Sequence, residues 1–165
     1  MELRPAGEAD LAAIAALHTR SWLSAYSGLL PGAFLKEVPE RHRRQWRELP
    51  GDGFVVVAEV GDSVVAFGSV RPGQGDGDDL LLDNLHVAPT LRGTGVGQKV
   101  LEAVLRRAAQ VAPGAVLYLW VLERNEGARR FYRRNGGSES VARQEEFAPG
   151  VVVEERRVEW RLPVG

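Results

Sequence analysis

The sequence predicts an α/β domain built on one mixed sheet with helices packed against it. Three observations carry this. Helical stripes and β-branched runs follow one another in the order ααββ, then βαβ, then αββ. A glycine-rich turn joins a strand at Leu80–Val87 to an amphipathic helix opening at Gly95. The run Val116–Leu122 is apolar on both faces, as a central strand covered on two sides should be. The 165 residues are assigned to one domain, residues 1–165.

Each element has its own signal. Leu11, Ile14, Leu17, His18, Trp22 and Tyr26 recur at three- and four-residue spacing after a start near residues 8–10, which makes one apolar helical stripe. Gly28 and Pro31 interrupt it, and an Arg-rich helical segment is expected over residues 40–49. The period then changes to that of strands: residues 54–59 and 64–71 are β-branched runs parted by the turn pair Gly61-Asp62. Residues 72–79 are loop by composition. From Gly95 onward Val96, Val100, Leu101, Val104, Leu105 and Ala108 share one helical face. Burying five such side chains is worth about 8–15 kcal/mol gross, so this helix should dock firmly on the sheet. Pro113-Gly114 ends it, and a short helix follows Val116–Leu122 with Asn125 as N-cap and Asn135-Gly136-Gly137 as its stop. Two late strands, residues 139–147 and 151–162, are joined by Pro149-Gly150.

Composition removes several function classes. Apolar residues make up 44% and charged residues 26%, which are globular values. The 21 basic and 22 acidic side chains leave a formal charge of −1, which argues against a nucleic-acid coat or a basic membrane-surface protein. Arg41, Arg43, Arg44 and Arg47 read as a solvated helix face. No apolar run approaches the roughly 20 residues that cross a bilayer, and the N-terminus lacks a signal-peptide core. With no cysteine there is no thiol nucleophile and no zinc thiolate site, and His18, His42 and His86 lack ligand spacing, so no metal is expected. These features describe a soluble, cytoplasmic protein. The near-zero sum hides two opposed segments. Residues 124–134 hold Arg124, Arg129, Arg130, Arg133 and Arg134 against Glu126, and residues 76–83 hold Asp76, Asp78, Asp79 and Asp83 with no base.

The chemistry centres on Arg92-Gly93-Thr94-Gly95-Val96-Gly97, between a strand and a helix. Glycines at alternate positions strip side chains from the turn, so backbone N–H groups can point at an anion. The helix adds its positive dipole end and unpaired donors, and Arg92 adds a fork-shaped cation; together these make a pyrophosphate cradle. The dinucleotide fingerprint is excluded because Gln98 stands where its third glycine belongs. A triphosphate loop is excluded because Gln98-Lys99-Val100 replaces its Gly-Lys-Ser/Thr.

This loop resembles the Arg/Gln-x-x-Gly-x-Gly/Ala signature of the GNAT superfamily of acyl-CoA-dependent N-acetyltransferases. Asn125, Ala128, Phe131-Tyr132 and Gly136-Gly137 resemble its downstream signature, Leu3-Arg4-Pro5-Ala6 with Asp10 its opening, and residues 21–31 its small-molecule members. The resemblance implies a mostly antiparallel sheet of six or seven strands, flanked by about four helices and split in a V between Leu80–Val87 and Val116–Leu122. It implies acetyl-CoA in that split, its pantetheine arm against the backbone of Leu85, His86 and Val87, its pyrophosphate on Arg92, Gly93, Thr94, Gly95, Val96 and Gly97, and the arginines of residues 124–134 near its phosphates. Asn125 would contact the pantetheine arm and Tyr132 would sit beside the thioester sulfur.

Acetyl transfer to an amine needs a neutral amine, a polarised carbonyl and a stabilised leaving thiolate. An alkyl ammonium of pKa about 10 is neutral only about once in a thousand at pH 7, so a base matters. Family members with a glutamate base often place it where this chain has Leu81. Three alternatives stand: Asp83, on the same side as Leu81 of an unbulged strand; His86, on the opposite face and with an ordinary pKa near 6.5; or a water path. Tyr132 reads as a hydrogen-bond donor to the developing thiolate, because proton transfer from a phenol to a thiolate is uphill by roughly 2 kcal/mol. Trp22, Tyr26 and Trp120 either line the acceptor pocket or belong to the core. The acidic loop at residues 74–79 either draws in a cationic amine or is simply solvated. Small amines, amino-acid analogues, aminoglycosides and protein amines all stay open as acceptors, with the resemblance of residues 21–31 pointing to small molecules. A homodimer through the late strands is a candidate assembly. The alternative function is an acyl-CoA-binding regulatory or partner-docking module with little turnover.

Overall fold

The computed structural model describes residues 1–75 and 77–165, with the backbone alone at Ala148. Its strands are β1 (Glu2–Pro5), β2 (Phe54–Val60), β3 (Ser63–Pro72), β4 (Leu80–Val87), β5 (Val116–Leu122), β6 (Ser138–Ala148) and β7 (Val151–Arg161). Its helices are α1 (Leu11–Tyr26), α2 (Gly32–Leu35), α3 (Val38–Gln45), α4 (Val96–Val111) and α5 (Glu126–Arg134). The seven strands form one sheet in the order β1-β2-β3-β4-β5-β7-β6, antiparallel at every junction except β4–β5. The expected mixed, mostly antiparallel sheet is what forms. The second helical segment differs from expectation: it starts at Val38, where Pro39 supplies the preset φ of a first helical turn, and a single-turn helix precedes it.

The two faces of the sheet carry different helices. Val100, Leu101, Val104 and Ala108 of α4 are at most 1% exposed and pack on Val70, Leu80, Leu82, Leu117 and Val158. Ala128, Phe131 and Tyr132 of α5 pack against the same layer. On the opposite face Ile14 and Leu17 of α1 meet Trp46, Val57 and Phe67. Leu101→Ala therefore opens a cavity in the larger core and is expected to cost about 2–5 kcal/mol, read as a lower urea midpoint at constant m-value.

Two irregularities of β4 create the site. First, β4 pairs with β5 only at Leu80–Leu117 and Leu81–Tyr118, then the strands part. The edge of β4 that faces β5 is thus without a strand partner after Leu81. Second, the β3–β4 register runs Ser69–Asn84 and then Val70–Leu82, leaving Asp83 as the extra residue of a β-bulge. The bulge resets the alternation. Leu80 and Leu82 before it, and Leu85 and Val87 after it, all face α4. Leu81, Asn84 and His86 pair with Arg71, Ser69 and Phe67 and face α1.

Candidate active site

The parting of β4 and β5 opens a cleft of about 960 Å3 between α1, β4, the Arg92–Gly97 loop, β5 and α5. Of the expected site residues, Trp22, Tyr26, Asp83, Leu85, His86, Val87, Arg92, Gly93, Gly95, Gly97, Trp120, Asn125 and Tyr132 line it. Thr94 and Val96, also expected there, do not line it. The Thr94 hydroxyl donates to the Leu91 carbonyl at 2.5 Å, and the Val96 side chain turns into the core beside α4.

The cradle follows from the local chain. Gly95 sits at φ +89°, a conformation that a side chain resists, and it hands the chain into α4. The first of the helix bonds runs from Lys99 N–H to the Gly95 carbonyl, so the N–H groups of Val96, Gly97 and Gln98 precede any intrahelical partner. A Cβ on Gly97 would lie 3.3 Å from Val87 and 3.4 Å from Phe131, so the absence of a side chain lets α4, β4 and α5 meet at the cleft floor. Open space on Gly93 and Gly95, free N–H donors and a positive helix end suit a pyrophosphate.

The arginines behave differently from expectation. Arg129 clamps both carboxylate oxygens of Glu139 at 2.8 and 2.9 Å and donates to the Glu123 carbonyl. Arg133 also reaches Glu139, so these two are spent on holding α5 to β6, while Arg134 lines the cleft. The acidic segment is likewise divided. Asp79 accepts the Val116 N–H at 3.1 Å, fixing the start of β5, and Asp76 lies outside the described residues. Among the described acids of this segment, Asp83 alone lines the cleft.

The bulge corrects the expected geometry around that carboxylate. The unbulged-strand reading set Asp83 and His86 on opposite faces. In the structure Asp83 lies 3.6 Å from Arg71, which pairs with Leu81, so its carboxylate and the His86 ring share the α1 face. Burial pushes the Asp83 carboxyl up, and the Arg71 guanidinium opposes this in part. His86 moves the other way, down to about 3, through burial and the nearby His42 and Arg92.

The three histidines, unrelated in sequence, come together. His18 stacks on His42 with centroids 3.5 Å apart and lies 4.7 Å from His86. Their Nδ1 atoms engage different partners: Trp46 Nε1 on His18, Thr19 Oγ1 on His42 and Ser21 Oγ on His86, at 2.9, 2.9 and 3.0 Å. The rings stack rather than converge on a common point, and no metal-holding group of three or more ligands occurs among the described residues.

On the far side of the cleft, Asn125 caps α5 by accepting the Ala128 N–H at 3.2 Å. Tyr132 stands nearly two turns into that helix, edge-on to Trp160 at 5.8 Å. Burial raises the Tyr132 phenol above its ordinary pKa, with Tyr26 adding to the shift. Trp22 and Tyr26, 4.4 Å apart, project from α1 and belong both to the cleft wall and to an apolar cluster of Leu30, Phe34, Val38, Phe147, Val151 and Val153. Trp120 enters from β5 under the Arg143 guanidinium, 3.9 Å over its ring. Trp22 and Tyr26 are therefore core and cleft-wall residues at once, and Trp120 is a cleft-wall residue. Ser21 and Ser24, which sequence reasoning missed, also line the cleft; their only signal was a position on the α1 stripe beside Trp22.

The model of the acetyltransferase (GNAT) family matches residues 14–137, more than half of the chain. The chain belongs to the GNAT acetyltransferase family. This GNAT protein is accordingly an acyltransferase enzyme. It is similar to an uncharacterized N-acetyltransferase of Archaeoglobus fulgidus, 30% identical over 139 residues that cover 80% of this chain and 89% of the relative. It is also similar to a protein named as a probable N-acetyltransferase in Mycobacterium tuberculosis, 26% identical over 139 residues, with 81% and 78% covered. Its fold matches that of yncA from Salmonella typhimurium, solved with its cofactor acetyl-CoA, at a TM-score of 0.73 and 20% identity, covering 98% of this chain and 94% of the other. No helix among the described residues is long and apolar enough to cross a membrane.

Proposed function

We propose that this GNAT enzyme moves an acetyl group from acetyl-CoA to the primary amine of a small molecule, by direct attack of the amine in a ternary complex. The observation that carries the reading is the β4 bulge, which turns the Asp83 carboxylate into the cleft on the side roofed by α1. Acetyl-CoA as donor is supported by the fit of the Arg92–Gly97 cradle and by the likeness to a structure holding it. The unpaired edge of β4 gives Leu85 and Val87 free backbone groups for an extended pantetheine arm, with Asn125 across the cleft, while the backbone of His86 between them is turned to Phe67 of β3. The bound thioester supplies the electrophilic acetyl carbon.

The chain's own residues handle protons. Asp83 accepts the proton of the acceptor ammonium, directly or through one water, and its raised pKa brings it nearer the working pH of a base. His86 is the poorer base. Its Nδ1 is occupied by Ser21 Oγ, which also receives Arg92, so an imidazolium there would face a guanidinium one hydrogen bond away. Tyr132 donates a hydrogen bond to the departing thiolate. A phenol pushed further up by burial keeps its proton, which strengthens the donor role over that of a full acid.

A small acceptor is supported by the roof. Phe34 of α2 and Phe147 of β6 approach to 6.1 Å, and Leu30, Val151 and Val153 join them beside Trp22 and Tyr26, so apolar packing bounds this wall of the cleft and favours a small acceptor. A cytoplasmic location is part of the same reading. Tyr132→Phe is expected to lower kcat by about 10- to 100-fold while acetyl-CoA affinity, measured by calorimetry, stays nearly unchanged. Equal turnover in the variant removes Tyr132 from the mechanism.

A further inference from the structure

Arg92 opens the cofactor cradle, yet its guanidinium reaches away from the glycine turn onto α1. Nη1 donates to Ser24 Oγ at 3.0 Å, and Nη2 donates to the Ser21 carbonyl at 3.0 Å and to Ser21 Oγ at 3.1 Å. These acceptors lie in the last two turns of α1, where a cation also complements the negative end of the helix. Ser21 is 3% exposed and passes the contact on to His86 Nδ1 at 3.0 Å, so loop, helix and β4 meet at one hydroxyl. A guanidinium carries five N–H donors. The α1 contacts leave the Nε–H and one Nη1–H, which suffice for a phosphate oxygen without releasing the serines.

The same stretch of α1 carries Trp22 and Tyr26, the aromatic wall of the acceptor side. Beyond Tyr26 the chain leaves the helix through one hydrogen-bonded turn, with the Leu29 and Leu30 N–H groups on the Tyr26 carbonyl, and runs on to Pro31, so the acceptor wall sits at the last turn of α1. We propose that Arg92 is a positioning residue that ties an occupied cofactor cradle to the end of α1, so that acyl-CoA binding orders the acceptor wall before the amine arrives. The inference rests on reading the cradle as an acyl-CoA site and adds a role for Arg92 beyond contact with phosphate. Lysine keeps the charge but places three donors on one nitrogen, so it cannot span Ser21, Ser24 and a phosphate together.

The test is amide hydrogen exchange over residues 19–28 with and without saturating CoA, in the wild-type protein, Arg92→Lys and Ser24→Ala, with CoA binding measured by calorimetry in each. CoA is expected to slow exchange of this segment by about tenfold in the wild type and by less than about threefold in either variant, although both variants bind CoA. A merely structural role would change exchange equally with and without CoA. Equal CoA-dependent slowing in Arg92→Lys, or none in a CoA-saturated wild type, overturns the inference alone. Absence of CoA binding by the wild type overturns the cradle reading and the inference with it.

Discussion

Asp83→Asn is expected to lower kcat/KM for the amine by about 100-fold or more at pH 7, the usual loss when a positioned base is removed. Acetyl-CoA affinity should stay within about twofold, because the carboxamide is isosteric and the cradle lies on a different element. The pH profile supplies the sharper readout. In the wild type the acid limb should follow ionisation of Asp83, which burial raises and Arg71 lowers. Arg71→Met removes the lowering influence, so the limb should move to higher pH; Asp83→Asn should abolish it. A variant at pH 7 that keeps most of the wild-type rate, with the acid limb in place, assigns the base to another group.

The second large effect concerns stability. His18, His42 and His86 are buried ring against ring and are held down to about 2, 4 and 3. Burial is the leading cause for each, with neighbouring rings adding for His18 and His86, and Arg41 adding for His42. In the unfolded chain each titrates near 6.5. The unfolded state therefore binds more protons below that value, and stability is full above about pH 6.5 and falls as pH drops toward the folded-state values. Between pH 7.5 and 5.5 each histidine should cost about 1.4 kcal/mol, or about 4 kcal/mol for the three, a large share of a typical 5–15 kcal/mol. Asp10, held down to about 2 by Arg4 and the Gly7 N–H, stays ionised throughout this window and does not contribute. Urea unfolding at the two pH values measures the loss, and His42→Gln should reduce it by about a third. A flat stability between pH 7.5 and 5.5 contradicts the neutral stack. Because the stack joins α1 and α3 to β4, acid should loosen the acceptor roof ahead of the α4 layer.

How much of this was legible beforehand depends on how local each signal is. Strands β2 to β7 and the long helices announced themselves by their period, and the cradle by its glycines, because both are properties of a short stretch of chain; the four-residue β1 was too short to show one and was met only in the resemblance of Leu3-Arg4-Pro5-Ala6. The bulge was also written in β4: Leu80 and Leu82 keep one parity, while Leu85 and Val87 take the other. A parity break of that kind inside a strand is the mark of an extra residue, and an unbulged reading missed it. The histidine stack and the Arg92–Ser21–Ser24 contact were not legible. They join positions 24 to 71 residues apart, and stripe arguments assign such side chains to a face without naming a partner. The arginine-rich segment misled for a related reason. Charge counting saw five cations near the cleft, but Glu139, on the next strand, takes Arg129 and Arg133.

If Asp83, poised by the bulge, deprotonates a small primary amine for attack on acetyl-CoA, thiol release from acetyl-CoA across a panel of small amines and amine-bearing peptides, with the acetylated product identified by mass, will show it. Release should depend on a small amine, with stoichiometric N-acetyl product, no turnover of the peptides, and loss of the signal in Asp83→Asn. Measurable acetyl-CoA binding with no release for any acceptor, or release with peptides alone, would contradict it.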